Sequence, residues 1–121
     1  MKVFSTHFVL KGGSDYIDLV PVFPDILRTL LQDIGQMPEE EEIMNMLIDL
    51  NISDLERNRK PEGYNRKGKI RLVFPMDRKE FYFKTYGKNN DLAKVSDKVA
   101  AILKDGGVNF DILQNDDADF D

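Results

Sequence analysis

The chain has 121 residues, of which 41% are apolar and 32% are charged, and its formal net charge is −5. This size and apolar content predict one domain with one hydrophobic core. The absence of cysteine excludes disulfides, thiolate metal sites and cysteine nucleophiles. No run approaches the roughly 20 apolar residues of a membrane helix, and the N-terminus lacks signal-peptide features. The sequence therefore predicts a cytoplasmic protein with no membrane partner.

The first half of the chain predicts two strands followed by two helices. Alternating apolar residues predict a strand over 3–10, and a second strand over 16–20 would complete a hairpin. Apolar residues at helical spacing predict a helix that begins at Pro24 and ends at Gly35. Another helix begins at Pro38, and its predicted buried stripe consists of Ile43, Met46, Leu47 and Leu50.

The second half predicts two more strands, a helix and a final strand. Residues 51–68 lack periodicity and are interpreted as a loop. Strands over 69–74 and 80–86 form a hairpin, in which alternation sets Leu72 opposite Phe83 and Arg71 opposite Lys84. Asn90 caps a helix that ends near Lys104, and 108–113 forms a last strand.

The predicted element order is ββααββαβ, which is typical of an α+β domain. We expect a largely antiparallel sheet of about four to five strands, with three helices packed on one face. This single domain would span 1–114, and a short acidic tail over 115–121 would be disordered. Because such a sheet leaves its other face in water, the open face of the 69–86 hairpin is a candidate binding surface.

Charge is strongly segregated along the chain. Residues 57–104 hold 14 of the 17 Lys and Arg residues and five acids, a local charge of +9. Residues 1–56 carry −8, and residues 105–121 carry −6. A concentrated basic segment of this kind favours a localised surface for an anionic partner.

The basic hairpin combines the two residue types that single-stranded DNA or RNA requires. Cations follow the phosphates, and flat rings stack on the bases. The predicted phosphate contacts are Lys60, Arg66, Lys67, Lys69, Arg71, Lys84 and Lys88, and the predicted stacking rings are Tyr82 and Tyr86. The alternative interpretation is an ordinary charged outer face with half-exposed tyrosines.

The end of the chain, 116–121, is rich in aspartate and carries a phenylalanine next to its last residue. It resembles the tails of several bacterial and phage single-stranded-DNA-binding proteins. The resemblance implies a tail that competes with DNA for the basic surface and recruits protein partners through Asp116, Asp117, Asp119 and Phe120. It departs from that pattern because Asp121 follows Phe120, and three predicted helices are too many for an oligonucleotide-binding barrel. The alternative is a solubilising, frayed end.

The acidic first half supports another class of function. Residues 39–42 are four consecutive glutamates. A helix dipole favours acids at this position, and the same acids could bind a basic protein surface. The leading alternative is therefore a small protein-binding regulator or inhibitor, of the kind carried by phages and mobile elements. It would dock a protein target through its acidic N-terminal half or its tail.

The sequence predicts no catalytic residue, metal site or cofactor. His7 is the only histidine, and it is interpreted as a half-exposed structural residue because no nucleophile, base and oxyanion donors accompany it in order. Asp15, Asp18, Asp25 and Asp33 could meet around a metal ion, but their spacing follows no recognised pattern. We therefore expect a non-enzymatic binding protein.

Overall fold

The computed structural model describes residues 3–65, 70–86 and 89–116. Within those ranges the chain forms four strands and three α-helices. The strands are β1 (Val3–Leu10), β2 (Ile70–Val73), β3 (Glu80–Tyr86) and β4 (Phe110–Asp116), and the helices are α1 (Phe23–Asp33), α2 (Glu41–Glu56) and α3 (Asn89–Asp105). The predicted α+β class with three helices is confirmed.

The strands form one antiparallel sheet in the order β2-β3-β1-β4. The register between β2 and β3 is the predicted one, with Leu72 opposite Phe83 and Arg71 opposite Lys84. Since β1 lies between β3 and β4, both edges of the first strand are paired with segments from much later in the chain.

The core lies between the helices and one face of the sheet. Phe8 is fully buried, and its ring centroid lies 5.0 Å from that of Phe81 and 5.8 Å from that of Phe83. Leu27 of α1 and Val99 of α3 are equally buried, and the two helices pack against each other. Because complete burial of such a side chain is worth about 1.5–3 kcal/mol, this layer is a main source of stability.

The predicted strand over 16–20 is wrong, because Tyr16–Leu19 forms a 3-10 helix. The carboxylate of Asp15 accepts a hydrogen bond of 2.7 Å from the Tyr16 N–H, and that of Asp18 accepts one of 2.7 Å from the Asp15 N–H. These reciprocal caps hold the backbone in a helical turn. Tyr16 and Leu19, three residues apart, are the buried pair. The 3-10 helix takes the second place in the predicted order, and the sheet has four strands.

The predicted buried stripe of α2 is also wrong in part. The residues that face the core are Met44, Leu47, Ile48, Asn51 and Leu55. Ile43, Met46 and Leu50 point into solvent. The physical reason is that α2 carries apolar residues around more than half of its circumference, whereas the 3-10 helix and α1 cover one side only.

The sheet extends further towards the C-terminus than predicted. β4 ends at Asp116, so residues 115 and 116, assigned to the tail from sequence, belong to the strand. The rest of the tail, 117–121, lies outside the described residues. No helix within the described ranges has the length and apolar character to span a membrane.

Candidate functional site

The outward side of α2 presents a row of large apolar side chains. Ile43, Met46 and Leu50, here called the apolar stripe, are 42%, 54% and 60% exposed. Their spacing of three and four residues places them on successive turns of one helix side. Exposed apolar groups gathered in this way mark interaction surfaces. The stripe is therefore a candidate protein-docking surface.

An acidic row runs beside the apolar stripe. Glu42, Asp49 and Glu56 are exposed and recur every seven residues, which is nearly two helical turns. If Ile43 and Leu50 are numbered as heptad positions a and Met46 as d, the acidic row occupies the g positions. In coiled coils these positions select the charge of the partner helix. Such a surface favours a helix with basic residues on its flank.

A groove of about 340 Å³ adjoins the stripe near the middle of α2. Its walls are Leu47, Leu50 and Asn51 of α2 and Lys60, Glu62, Gly63, Tyr64 and Asn65 of the following loop. The amide nitrogen of the Asn51 side chain donates to the Leu47 carbonyl at 2.8 Å, and its Oδ1 accepts from the Gly63 N–H at 2.7 Å. These bonds fix the distance between the two walls, so the groove is preformed.

The loop wall is also held to the sheet. The backbones of Tyr64 and Leu72 exchange two hydrogen bonds of 2.9 Å each. Gly63 has a positive φ of 76°, and a Cβ added there would lie 2.5 Å from the Leu72 carbonyl oxygen. Only glycine permits this approach of the loop to β2.

On the open face of the sheet, three of the predicted nucleic-acid contacts do come together. Arg71 and Lys84 are cross-strand neighbours. The Arg71 Cζ lies 5.8 Å and the Lys84 Nζ 5.1 Å from the ring centroid of Tyr86. A hydrogen bond from Lys84, aided by the positive charges of Lys84 and Arg71, holds the pKa of Tyr86 below its ordinary value. Arg71, Lys84 and Tyr86 are here called the basic cluster.

The other predicted contacts do not join the basic cluster. Tyr82 is buried, with its ring centroid 4.7 Å from that of His7, and burial raises its pKa. It therefore offers no open ring to a base. Lys60 lines the groove beside α2. Arg66, Lys67, Lys69 and Lys88, and the tail residues Asp117, Asp119 and Phe120, lie outside the described residues.

Ser5, His7 and Glu80 form a buried hydrogen-bond network on the sheet face away from the helices. The sequence does not predict this network. The Ser5 Oγ lies 2.8 Å from the His7 Nε2, and the His7 Nδ1 lies 2.5 Å from the Glu80 Oε2. The Arg78 Nε lies 3.4 Å from the other carboxylate oxygen of Glu80. His7 is therefore buried, and not half-exposed as predicted. Alternation along β1 places Ser5 and His7 on the same face of the sheet. Glu80 can be recognised as their partner only from the register between β1 and β3.

Ser5, His7 and Glu80 are connected in the same order as the serine, histidine and carboxylate of an acyl-transfer triad. The serine of such a triad is open to substrate, whereas Ser5 is not. Ser5 is only 1% exposed and lies in the middle of β1, between β3 and β4. A substrate carbonyl has no path to the hydroxyl in this conformation. The bonds instead satisfy polar groups that the sheet buries.

The described residues contain no group of three or more His, Asp or Glu side chains placed to hold a metal ion. Asp15 is bound to Lys79 at 2.5 Å and Asp33 to Lys98 at 2.9 Å, so these carboxylates serve ion pairs. Comparison of the chain with protein-family models, with curated proteins and with solved structures found no match.

Proposed function

We propose that this protein is a non-enzymatic, protein-binding regulator or inhibitor that docks its target on the apolar stripe of α2. The exposure of Ile43, Met46 and Leu50 carries the proposal. Complete burial of a side chain of this size is worth about 1.5–3 kcal/mol. A partner that covers the stripe gains a large part of that free energy.

The proposed occupant is a short amphipathic helix with a basic flank. The stripe and the acidic row together form about two turns of a heptad seam, with apolar a and d positions and acidic g positions. A partner helix that packs against it would present apolar residues to the stripe and Lys or Arg to the acidic row. One of its larger apolar side chains would enter the groove beside Leu47 and Leu50.

Synthetic peptides test this occupant directly. One peptide of about three turns carries leucine at a and d and lysine at e and g, and its counterpart carries glutamate at e and g. We expect the basic peptide to bind at least about tenfold more tightly than the acidic one, because each acidic-row residue then meets an opposite charge. The measurement is fluorescence anisotropy. Equal binding of both peptides would contradict the proposed occupant.

Two protein variants make the test specific for α2. Leu50→Lys places a charge in the stripe, whereas Met76→Lys places the same charge on an exposed apolar residue between β2 and β3, outside the stripe. Loss of one anchor of this size predicts binding weakened about tenfold or more in Leu50→Lys, and unchanged binding in Met76→Lys. A nuclease-treated lysate of the source cells should yield a stoichiometric protein partner that Met76→Lys retains and Leu50→Lys loses. Equal behaviour of the two variants would overturn the proposal.

The basic cluster supports a second candidate function, binding of single-stranded DNA or RNA. Tyr86 is exposed and has two cations at its ring. Arg66, Lys67, Lys69 and Lys88 are close to the cluster in sequence and would extend its contact to phosphates. In this proposal the acidic tail competes with the nucleic acid, so removal of 117–121 should tighten binding.

Anisotropy with short oligonucleotides at two salt concentrations tests this candidate, because phosphate contacts make affinity fall steeply with salt. Lys84→Glu should weaken binding, whereas Lys94→Glu, which changes an exposed lysine of α3 by the same charge, should have little effect. Absence of binding at low salt would remove the second candidate and leave the α2 proposal intact.

A further inference from the structure

Within the described ranges no segment pairs with the outer edge of β4, whereas the opposite edge is partly covered. At the β2 edge, the backbone of Leu72 is already bonded to Tyr64. Residues 111–114 of β4 are all exposed, including Ile112 on the helix-covered face and Leu113 on the open face. The strand sequence from Phe110 to Asp116 contains neither lysine nor proline, and the charge of its Asp111 is paired with Lys11. Natural edge strands usually carry such residues to prevent pairing with another chain.

We propose that β4 pairs antiparallel with β4 of a second copy of this chain, about a two-fold axis through Leu113. An axis perpendicular to the sheet keeps the helix-covered faces of both copies on the same side, so only registers centred on a residue are allowed. Centring on Leu113 sets Phe110 opposite Asp116, Asp111 opposite Asn115 and Ile112 opposite Gln114. All seven residues of the strand then have a partner.

Neighbouring registers are less favourable. Centring the axis on Ile112 or Gln114 leaves two residues of each β4 without a partner in the other strand. The register centred on Leu113 also places no aspartate opposite another aspartate, so it avoids direct cross-strand repulsion. Asp111 already has a counterion, since its carboxylate lies 2.6 Å from the Lys11 Nζ.

Pairing in this register buries the surface of β4 that is exposed to solvent in a single chain. The two Leu113 side chains would meet across the axis on the open face, and each Ile112 would lie beside the stem of the partner's Gln114 on the helix-covered face. The backbone N–H and C=O groups on the outer edge of β4 would gain partners. The result is a continuous sheet of eight strands, and the α2 stripe is left free in both copies. This inference therefore stands independently of the proposed function.

Cysteine cross-linking tests the register, because the chain has no cysteine of its own. In Leu113→Cys the two thiols would face each other across the axis, with Cα atoms within the roughly 4.4–6.8 Å that a disulfide spans. Leu50→Cys is the matched control, since its side chain is equally exposed but lies on α2. Under oxidised glutathione we expect a covalent dimer from Leu113→Cys, formed at least several-fold faster than from Leu50→Cys.

Light scattering of the unmodified protein across a concentration series gives an independent measurement. We expect a mass that rises towards twice that of one chain, and a monomer for Leu113→Lys, in which two lysines would be opposed. Circular dichroism checks that the variant keeps its fold. A monomer at every concentration, or equal cross-linking of the two cysteine variants, would overturn the inference.

Discussion

The N–H of Gly63 donates a hydrogen bond of 2.7 Å to the side-chain oxygen of Asn51, and this contact ties the loop after α2 back onto the helix. Asn51 is buried, and its amide nitrogen is bonded to the Leu47 carbonyl. One side chain thus shapes the groove and anchors the loop.

Asn51→Ala should destabilise the protein by about 1–3 kcal/mol, because it leaves the partly buried N–H of Gly63 without its acceptor and opens a small cavity. Asn45→Ala is the control, since Asn45 is exposed on the same helix. It should change the free energy of unfolding by less than about 0.5 kcal/mol. Urea denaturation measures both. Equal effects would mean that the anchoring contact contributes little.

Gly63→Ala should be more harmful than Gly13→Ala, although both residues have a positive φ. At Gly63 the new Cβ meets the Leu72 carbonyl oxygen at 2.5 Å, whereas at Gly13 nothing lies within 4 Å. We expect about 1 kcal/mol of backbone strain at Gly13 and a clearly larger loss at Gly63. Thermal and urea denaturation of the two variants would show it, and similar losses would contradict the close approach of the loop to β2.

Asp15 should contribute a pH-dependent part of the stability. The hydrogen bond from Lys79 is the main cause that lowers its pKa in the folded state. A lowered folded pKa stabilises the protein above the unfolded value of 3.8 and loses this effect as the pH falls through the folded value. Asp15→Asn keeps an oxygen for the cap but removes the charge.

The variant should therefore be less stable than the parent at about pH 7, and the difference should shrink towards about pH 2. Denaturant unfolding at both pH values measures it. A difference that stays constant with pH would show that the charge of Asp15 is not involved.

Tyr86 should ionise before Tyr16 and Tyr82 as the pH rises. Its pKa is lowered by Lys84, whereas burial raises the pKa of Tyr16 and of Tyr82. Lys84→Met should move the Tyr86 titration to higher pH, because the hydrogen bond and the positive charge are both lost. Tyrosinate absorbance follows the titration, with Tyr86→Phe to assign the early step. An unchanged early step in Lys84→Met would refute the assigned cause.

The β2–β3 register could be predicted from sequence because strand alternation has a period of two. A shift by one residue would turn Leu72 and Phe83 out of the core, so the pattern admits one answer. The sequence pattern does not decide between a strand and a helical turn over 16–20. The spacing of Ile17 and Leu19 fits a strand, whereas the spacing of Tyr16 and Leu19 fits a helical turn. The caps from Asp15 and Asp18 favour the turn.

The candidate site was harder to predict than the fold. α2 has more apolar residues than one face can bury, and the rest of the fold determines which face is covered. Sequence periodicity therefore placed Ile43, Met46 and Leu50 in the core. Tyr82 shows the same limit on the sheet, since alternation places it on the open face, but its position between Val73 and His7 covers its ring.

The position of β1 has a consequence for how the protein is made. β1 is synthesised before both of the strands that pair with it, and the second of these, β4, follows α1, α2 and α3 in the chain. Until β4 has been made, β1 has an unoccupied edge, and such edges are prone to misassembly. Contacts of this sequence separation also slow folding. A deletion that removes β4 would therefore disturb β1 as well.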